Sequence, residues 1–217
     1  MIRKTKEQLI AFEKRIQALF EQGKLPFLIH LSGGNEEQLI QIFGHIRQGD
    51  WIFSTHRNHY HYLLAGGSEE RLETLIRSGN SMFVYDRDLN FLTSSVLAGV
   101  CCIAAGVAAA IKETNEPQHV WCFIGDGGED EGHFYEAVRY VHGHKLPCTF
   151  ILEDNNRSCD ATKAQRRGEY DNTFPMWPHC VWRYDYTPTY PHGGTGCKQW
   201  VTFDPEIVAQ ALNPNKP

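Results

Sequence analysis

Asp126 stands between two glycines in the stretch FIGDGGEDEG (123–132), and Asn155 follows in EDNNRS (153–158). A carboxylate oxygen and an amide oxygen are hard donors of the kind Mg²⁺ selects, and Mg²⁺ commonly takes its remaining ligands from phosphates. A backbone carbonyl just after Asn155 offers a third donor. Gly125, Gly127 and Gly128 leave the backbone bare, so an anion can approach the start of the following helix closely. This set suits a metal that bridges protein oxygens to a diphosphate. Glu129, Asp130 and Glu131 crowd the same stretch. Acids in a helix's first turn favour its macrodipole, and they are assigned that structural role. A second cluster, STHRNHYHY (54–62), holds His56, Arg57, His59 and His61. Imidazoles are good transition-metal ligands, but no Cys or Glu stands at a matching spacing. An anion contact by Arg57 accounts for this basic cluster better.

The elements around these residues must bring them together. Apolar periodicity predicts helices over 4–22, carrying Leu9, Phe12, Ile16 and Phe20, and over 35–48. Ser68 opens a short helix over 68–78 with a partial capping box. Residues 81–94 read as an irregular loop. The run from 95 to 112 is small and apolar all round, which predicts a helix buried on most faces. A strand over 119–124, a helix over 131–144 and a strand over 148–152 form a strand–helix–strand unit, so parallel pairing is expected. The 27 residues between Gly127 and Asn155 hold one helix and one strand. That crossover returns Asn155 to the sheet edge where Asp126 ends its strand, and ligands of open parallel sheets bind beyond that edge. Beyond residue 160 the chain reads as irregular, with a strand over 181–186 and a short terminal helix. The aromatic stretch 174–182 fits packing on this domain or on a partner equally well. The expected fold is α/β: a parallel sheet with helices on both faces. One domain is expected over 1–217, with its core at 40–160 and an irregular segment at 161–217.

Composition narrows the function class. The 217 residues are 41% hydrophobic and carry a formal net charge of −5, which argues for a globular core and against wholesale nucleic-acid binding. The seven cysteines, Cys101, Cys102, Cys122, Cys148, Cys159, Cys180 and Cys197, form no Cys-x-x-Cys pair and several lie in apolar runs. They read as reduced thiols of a cytoplasmic protein, without a structural zinc. The amphipathic N-terminus is no signal core, and no apolar run is long enough to suggest a membrane span.

Gly-Asp-Gly followed at this distance by Asn resembles the diphosphate-binding motif of thiamine diphosphate enzymes. Three stretches sharpen the resemblance by their order and spacing: STHRNHYHYLLAGG (54–67), residues 81–112 and residues 125–155. Together they resemble the alpha subunit of the decarboxylating component of 2-oxo-acid and acetoin dehydrogenases, well over about residues 40–160 and poorly elsewhere. The resemblance implies a thiamine diphosphate-binding fold and thiamine diphosphate with Mg²⁺ as cofactors. The metal would be held by Asp126, Asn155 and the carbonyl of Arg157. Gly125, Gly127, Gly128, His56, Arg57 and Asn155 would contact the cofactor, and the backbone near Val96 and Ala98 would face its aminopyrimidine ring. His61 and His192 would shuttle protons, since imidazole titrates near working pH. The implied reaction is decarboxylation of a small 2-oxo acid, or cleavage of a related ketone, with the cofactor as electron sink.

Relatives of that kind depend on a beta-like subunit carrying the pyrimidine-side domain. A partner is therefore implied, in an α2β2 assembly or a homodimer, and activity is not expected without it. Departures are also present. Thr93-Ser94-Ser95 stands where the family is glycine-rich, Phe83 where a histidine is common, and the chain is short for such a subunit. Three other readings remain open. The first is the cofactor half of a split transketolase-like enzyme, which EDNNRSCD also resembles. The second is a non-catalytic interaction protein on the same scaffold. The third is a Mg²⁺-dependent phosphate-binding protein unrelated to thiamine.

Overall fold

A computed structural model describes residues 4–168 and 179–213. In chain order the elements are α1 (Lys6–Glu21), α2 (Glu36–Phe43), β1 (Trp51–Ser54), α3 (His59–Leu64), α4 (Glu69–Arg77), β2 (Tyr85–Asp86), β3 (Phe91–Thr93) and α5 (Gly99–Thr114). There follow β4 (Val120–Gly125), α6 (Asp126–Glu129), α7 (Gly132–His144), β5 (Cys148–Asp154), α8 (Lys163–Arg167), β6 (Val181–Asp185) and α9 (Pro205–Leu212). The strands form a six-stranded sheet in the order β2-β3-β1-β4-β5-β6. Only the short β2–β3 pair is antiparallel; β3–β1, β1–β4, β4–β5 and β5–β6 are all parallel.

Local chemistry sets most helix ends. Thr5 and Gln8 close a reciprocal capping box on α1, and Ser68 accepts from the Arg71 N–H to cap α4. Asn115 and Lys145 take the left-handed conformation that stops α5 and α7. The strands alternate between two cores, as a doubly covered sheet requires. Ile52, Phe91, Trp121, Phe123 and Ile151 face the layer that includes Leu9, Phe12, Ile16, Leu39 and Phe43 from α1 and α2. Phe53, Cys122, Ile124, Phe150 and Leu152 face α5 and α7 on the other side.

Three expectations change. The loop expected over 81–94 contains β2 and β3, and β3 joins β1 in the middle of the sheet. Three residues carry too little local periodicity to announce a strand; pairing with β1 makes it one. The apolar helix begins at Gly99 rather than 95, because Ala98 sits at φ 51° and breaks the helical path. Its inward face is buried at Cys101, Ala104, Ala105 and Ala108, but Cys102 and Ile103 face outward and are exposed in this single chain. The helix expected over 35–48 ends at Phe43. All seven cysteines are free thiols, with Cys101, Cys122, Cys148 and Cys180 buried. Of the aromatic stretch 174–182, residues 174–178 lie outside the described residues. Trp182 packs edge-on against Trp121 at 5.4 Å, on this chain's own sheet. No helix among the described residues is long and apolar enough to cross a membrane.

Candidate active site

The connections from β1 run to β3 on one side of it, and the connection from β3 crosses to β4 on the other. At that switch the loops after neighbouring strands diverge and leave a crevice beyond the strands' carboxyl ends. A cavity of about 220 Å³ lies there. Thr55–Arg57 line it after β1, Ser94–Ala98 after β3, Gly125–Gly128 at the end of β4, Asn155 with Arg157–Cys159 after β5, and Tyr186 after β6. His30, from the loop before α2, and His192, from the loop after β6, close one side.

The parallel register pairs Gly125 with Glu153, so Asp126 and Asn155 leave neighbouring strands at the same edge. Asp126 is fully buried. Its Oδ2 accepts from Arg166 Nη2 at 2.8 Å, while Oδ1 is buried with no hydrogen-bond partner among the described residues. Burial pushes the Asp126 carboxyl above its ordinary pKa. Arg166 opposes that shift and the nearby Asp154 adds to it. Asn155 Oδ1 accepts from the Arg157 N–H at 2.9 Å, which fixes the turn that follows β5. Asn155 Nδ2 donates to the Tyr186 hydroxyl at 3.4 Å, and burial lifts that phenol to about 12.

The acids of the motif do more than face a helix dipole. Arg166 bridges Asp126 and Asp130, Arg167 bridges Glu129 and Asp130, and Arg183 joins Glu129 to Asp154. Lys163 adds a 2.5 Å contact to Asp154. Burial alone would raise the Asp154 carboxyl, but Lys163, the Asn156 N–H and Arg183 outweigh it and hold it below its ordinary value. Four cations from α8 and β6 thus neutralise four acids around the β4–α6 turn.

Arg57 ties the other side together. Its guanidinium donates to the carbonyls of Leu31 and His192, the latter at 3.1 Å, and so links two loops across the cavity rim. Burial is the main cause that lowers His30 to about 4 and His56 to about 3, and it lowers His192 as well; the neighbouring Arg57 charge lowers all three. All three shifts favour the neutral imidazole over the charged one.

Of the residues singled out from the sequence, His56, Arg57, Val96, Ala98, Gly125, Asp126, Gly127, Gly128, Asn155, Arg157 and His192 all line this one cavity. His61 does not. It is buried inside α3's packing, with Nδ1 on Ser54 Oγ at 2.6 Å and Nε2 on Glu153 Oε1 at 3.2 Å. It reaches the cavity only through Glu153, which lines it. Sequence reasoning passed over His30, Ser158, Tyr186 and Arg166. His30 sits in no motif, and Arg166 lies in KAQRR (163–167), whose clustered positive charge was the available signal.

A mostly parallel sheet with a glycine-bordered carboxylate and an amide at its switch point defines an α/β protein with a ligand-sized crevice beyond its strand ends. Residues 4–175 match the dehydrogenase E1 component family, and the chain belongs to that family. The match reaches well upstream of residue 40, so α1 and α2 belong to the shared structure. The chain is 30% identical over 158 residues to the alpha subunit of an acetoin:2,6-dichlorophenolindophenol oxidoreductase of Bacillus subtilis, covering 68% of this chain and 47% of that one. It is 29% identical over 154 residues to the same subunit from Cupriavidus necator, covering 66% and 46%. It is 26% identical over 166 residues to the pyruvate dehydrogenase E1 component alpha subunit of Porphyra purpurea, covering 66% and 47%. The chain thus spans about half the length of the curated relatives it matches.

Proposed function

We propose that this chain is the cofactor-binding, alpha-type half of a thiamine diphosphate-dependent dehydrogenase acting on a small 2-oxo acid or on acetoin. One observation carries the reading: segments far apart in sequence place eleven of the twelve expected residues around one cavity at the sheet's switch point. The donor set fits the cofactor's metal–diphosphate end. Asp126 has a buried oxygen without a partner among the described residues, and a carboxylate with an amide and a carbonyl is what Mg²⁺ accepts. In this reading Asp126, Asn155 and the Arg157 carbonyl hold Mg²⁺. Arg57 and the backbone of Gly127 and Gly128 hold the diphosphate, and the backbone at Val96 and Ala98 faces the aminopyrimidine.

When bound, the cofactor supplies the electron sink for carbon–carbon cleavage next to a carbonyl. The chain positions it and excludes water. His56 and His192, held neutral, can each accept a proton at a ring nitrogen, and Arg57 keeps them from charging early. His61 acts at one remove, as a positioning residue for Glu153. A beta-type partner completes the site, in an α2β2 or homodimeric arrangement. The exposed apolar residues Val96 and Leu97 at the cavity, and Ile103 on α5, support that reading.

Calorimetric titration with thiamine diphosphate, with Mg²⁺ and then with chelator, tests it, in the presence of a beta-type subunit where the chain alone does not bind. Metal-dependent binding is expected, and Asp126→Ala should abolish it while the circular dichroism stays native. Equal binding by Asp126→Ala and the unaltered chain would sink the assignment.

A further inference from the structure

Glu13 lies on α1 and is fully buried. Both of its carboxylate oxygens face His59 Nδ1, at 2.9 and 3.0 Å, and Oε1 also accepts from the Ser32 N–H. An ionised carboxylate only accepts, so Nδ1 carries the proton, and Nε2 meets Ser81 Oγ at 2.9 Å. His59 and Ser81 are buried as well. A carboxylate–imidazole–hydroxyl row shut away from solvent acts on the segments it ties together, not on a substrate. Those segments meet at Arg57. Ser32 follows Leu31, whose carbonyl accepts from Arg57, and His59 opens α3 just after the turn that carries Arg57. The Ser32 loop also holds the His192 loop: the Gly194 N–H donates to the Ile29 carbonyl at 2.8 Å, and the Thr189 N–H to the Gly33 carbonyl at 3.1 Å. The His192 carbonyl is the second acceptor of Arg57. Glu13 thus stands behind the Arg57 turn and behind both carbonyls that aim its guanidinium.

Resting on the reading that Arg57 holds the diphosphate, we propose that Glu13 is a positioning residue for Arg57, acting through Ser32 and His59. A guanidinium presents its donors in a rigid planar fork. Two carbonyls on that fork fix its plane and leave the remaining N–H groups for an anion. Orientation of this kind is sensitive, since a displacement of about 1 Å made far from the chemistry is costly. A buried carboxylate suits the task because it accepts from both segments at once, and the low polarity around it strengthens each bond. An amide in its place accepts through one oxygen and turns a donor toward the other partner. Glu13→Gln therefore keeps the size of the side chain but releases either Ser32 or His59.

The test is a double-mutant cycle read by calorimetric titration with Mg²⁺ and thiamine diphosphate, with a beta-type subunit present where the chain alone does not bind. Glu13→Gln should weaken binding by about tenfold, within the range of couplings inside one hydrogen-bond network. Arg57→Lys keeps the charge at the rim but lacks the fork. In that background Glu13→Gln should weaken binding by less than about twofold, because the geometry it protects is already gone. A residue that merely holds the fold together would add its full loss there. Asp86→Asn is the control: Asp86 is also buried and accepts from the Tyr62 hydroxyl at 2.7 Å, on the β2 edge of the sheet. It should lower the urea midpoint and leave cofactor affinity unchanged. His59→Gln cuts the same link from its other end and carries the cycle if Glu13→Gln does not fold. Absence of binding by the unaltered chain would end the cofactor reading and this proposal with it. Metal-dependent binding that Glu13→Gln leaves intact, a loss that adds in full to that of Arg57→Lys, or an equal loss in Asp86→Asn would overturn the proposal alone.

Discussion

Arg166 Nη2 donates to Asp126 Oδ2 at 2.8 Å and so places a guanidinium on the carboxylate at the centre of the candidate site. The same side chain holds Asp130 through Nε at 2.6 Å and the Ala161 carbonyl through Nη1 at 2.7 Å. The α8 segment is therefore anchored to the β4–α6 turn by charge. Both partners are largely shielded, with side-chain exposures of 14% and 1%, so solvent screens this pair less than a surface ion pair.

Arg166→Ala leaves the Asp126 carboxylate buried without its cation. The cofactor-free chain should lose about 2 kcal/mol of stability, the scale of a hydrogen bond to a charged group. Mg²⁺ with thiamine diphosphate supplies a replacement charge, so the difference in urea midpoint between variant and unaltered chain should shrink when both are added. A difference that stays constant would mean that Arg166 and the cofactor do not act on the same carboxylate.

Gly127 has room for no side chain. A Cβ there would lie 2.7 Å from Ser158 Cβ, on the turn that follows β5. Gly127→Ala should therefore cost about 1–3 kcal/mol through overpacking and weaken cofactor binding by displacing the turn that carries Arg157. The double variant Gly127→Ala/Ser158→Gly removes the obstacle and should recover most of the stability. If the double variant is no more stable than the single one, the clash is not the cause.

His61 is the candidate that the structure moves away from the chemistry. Its ring stacks on Phe123 at a centroid distance of 4.3 Å and bridges Ser54 to Glu153. Glu153 also accepts from Asn35 and from the Tyr184 hydroxyl. His61→Ala empties that space and strips partners from two buried groups, so a loss of about 3 kcal/mol is expected. Chemical denaturation reads this directly; a loss below about 1 kcal/mol would show that the network does not depend on the ring.

The contrast between His61 and His56 shows where sequence reasoning stops. Both stand in STHRNHYHY, and local pattern does not separate them. His61 lies within α3 and turns into the packed layer, whereas His56 lies in the turn between β1 and α3 and opens onto the cavity. Asp126 and Asn155 were legible because one parallel crossover dictates their common edge. His30 was not, because its approach to His56 depends on how loops from two distant segments meet. The cations around Glu129 and Asp130 were hidden for the same reason: charge pairing across 36 or more positions leaves no local period. The helical stripes of α1 and α7 were plain, since a buried face repeats every turn. β3 was missed because three residues acquire strand geometry only from β1.

His119 gives the chain a pH dependence far from the cavity. It precedes β4, with Nε2 at 2.9 Å from Thr149 Oγ1, and its own backbone N–H donates to Asp50 at 2.9 Å. Burial lowers this imidazole below its ordinary 6.5; Asp50 opposes the shift and Arg47 adds to it. The unfolded chain therefore takes up a proton below pH 6.5 that the folded chain still refuses. Stability is fully present above that pH and is lost as pH falls toward the lowered folded value. His119→Gln keeps a polar partner for Thr149 but has no proton to gain. The urea midpoint of the variant should fall less steeply than that of the unaltered chain between pH 6.5 and about pH 5. Identical slopes would show that His119 contributes nothing to the acid limb, which would then rest on His30 and His56, lowered on folding to about 4 and about 3.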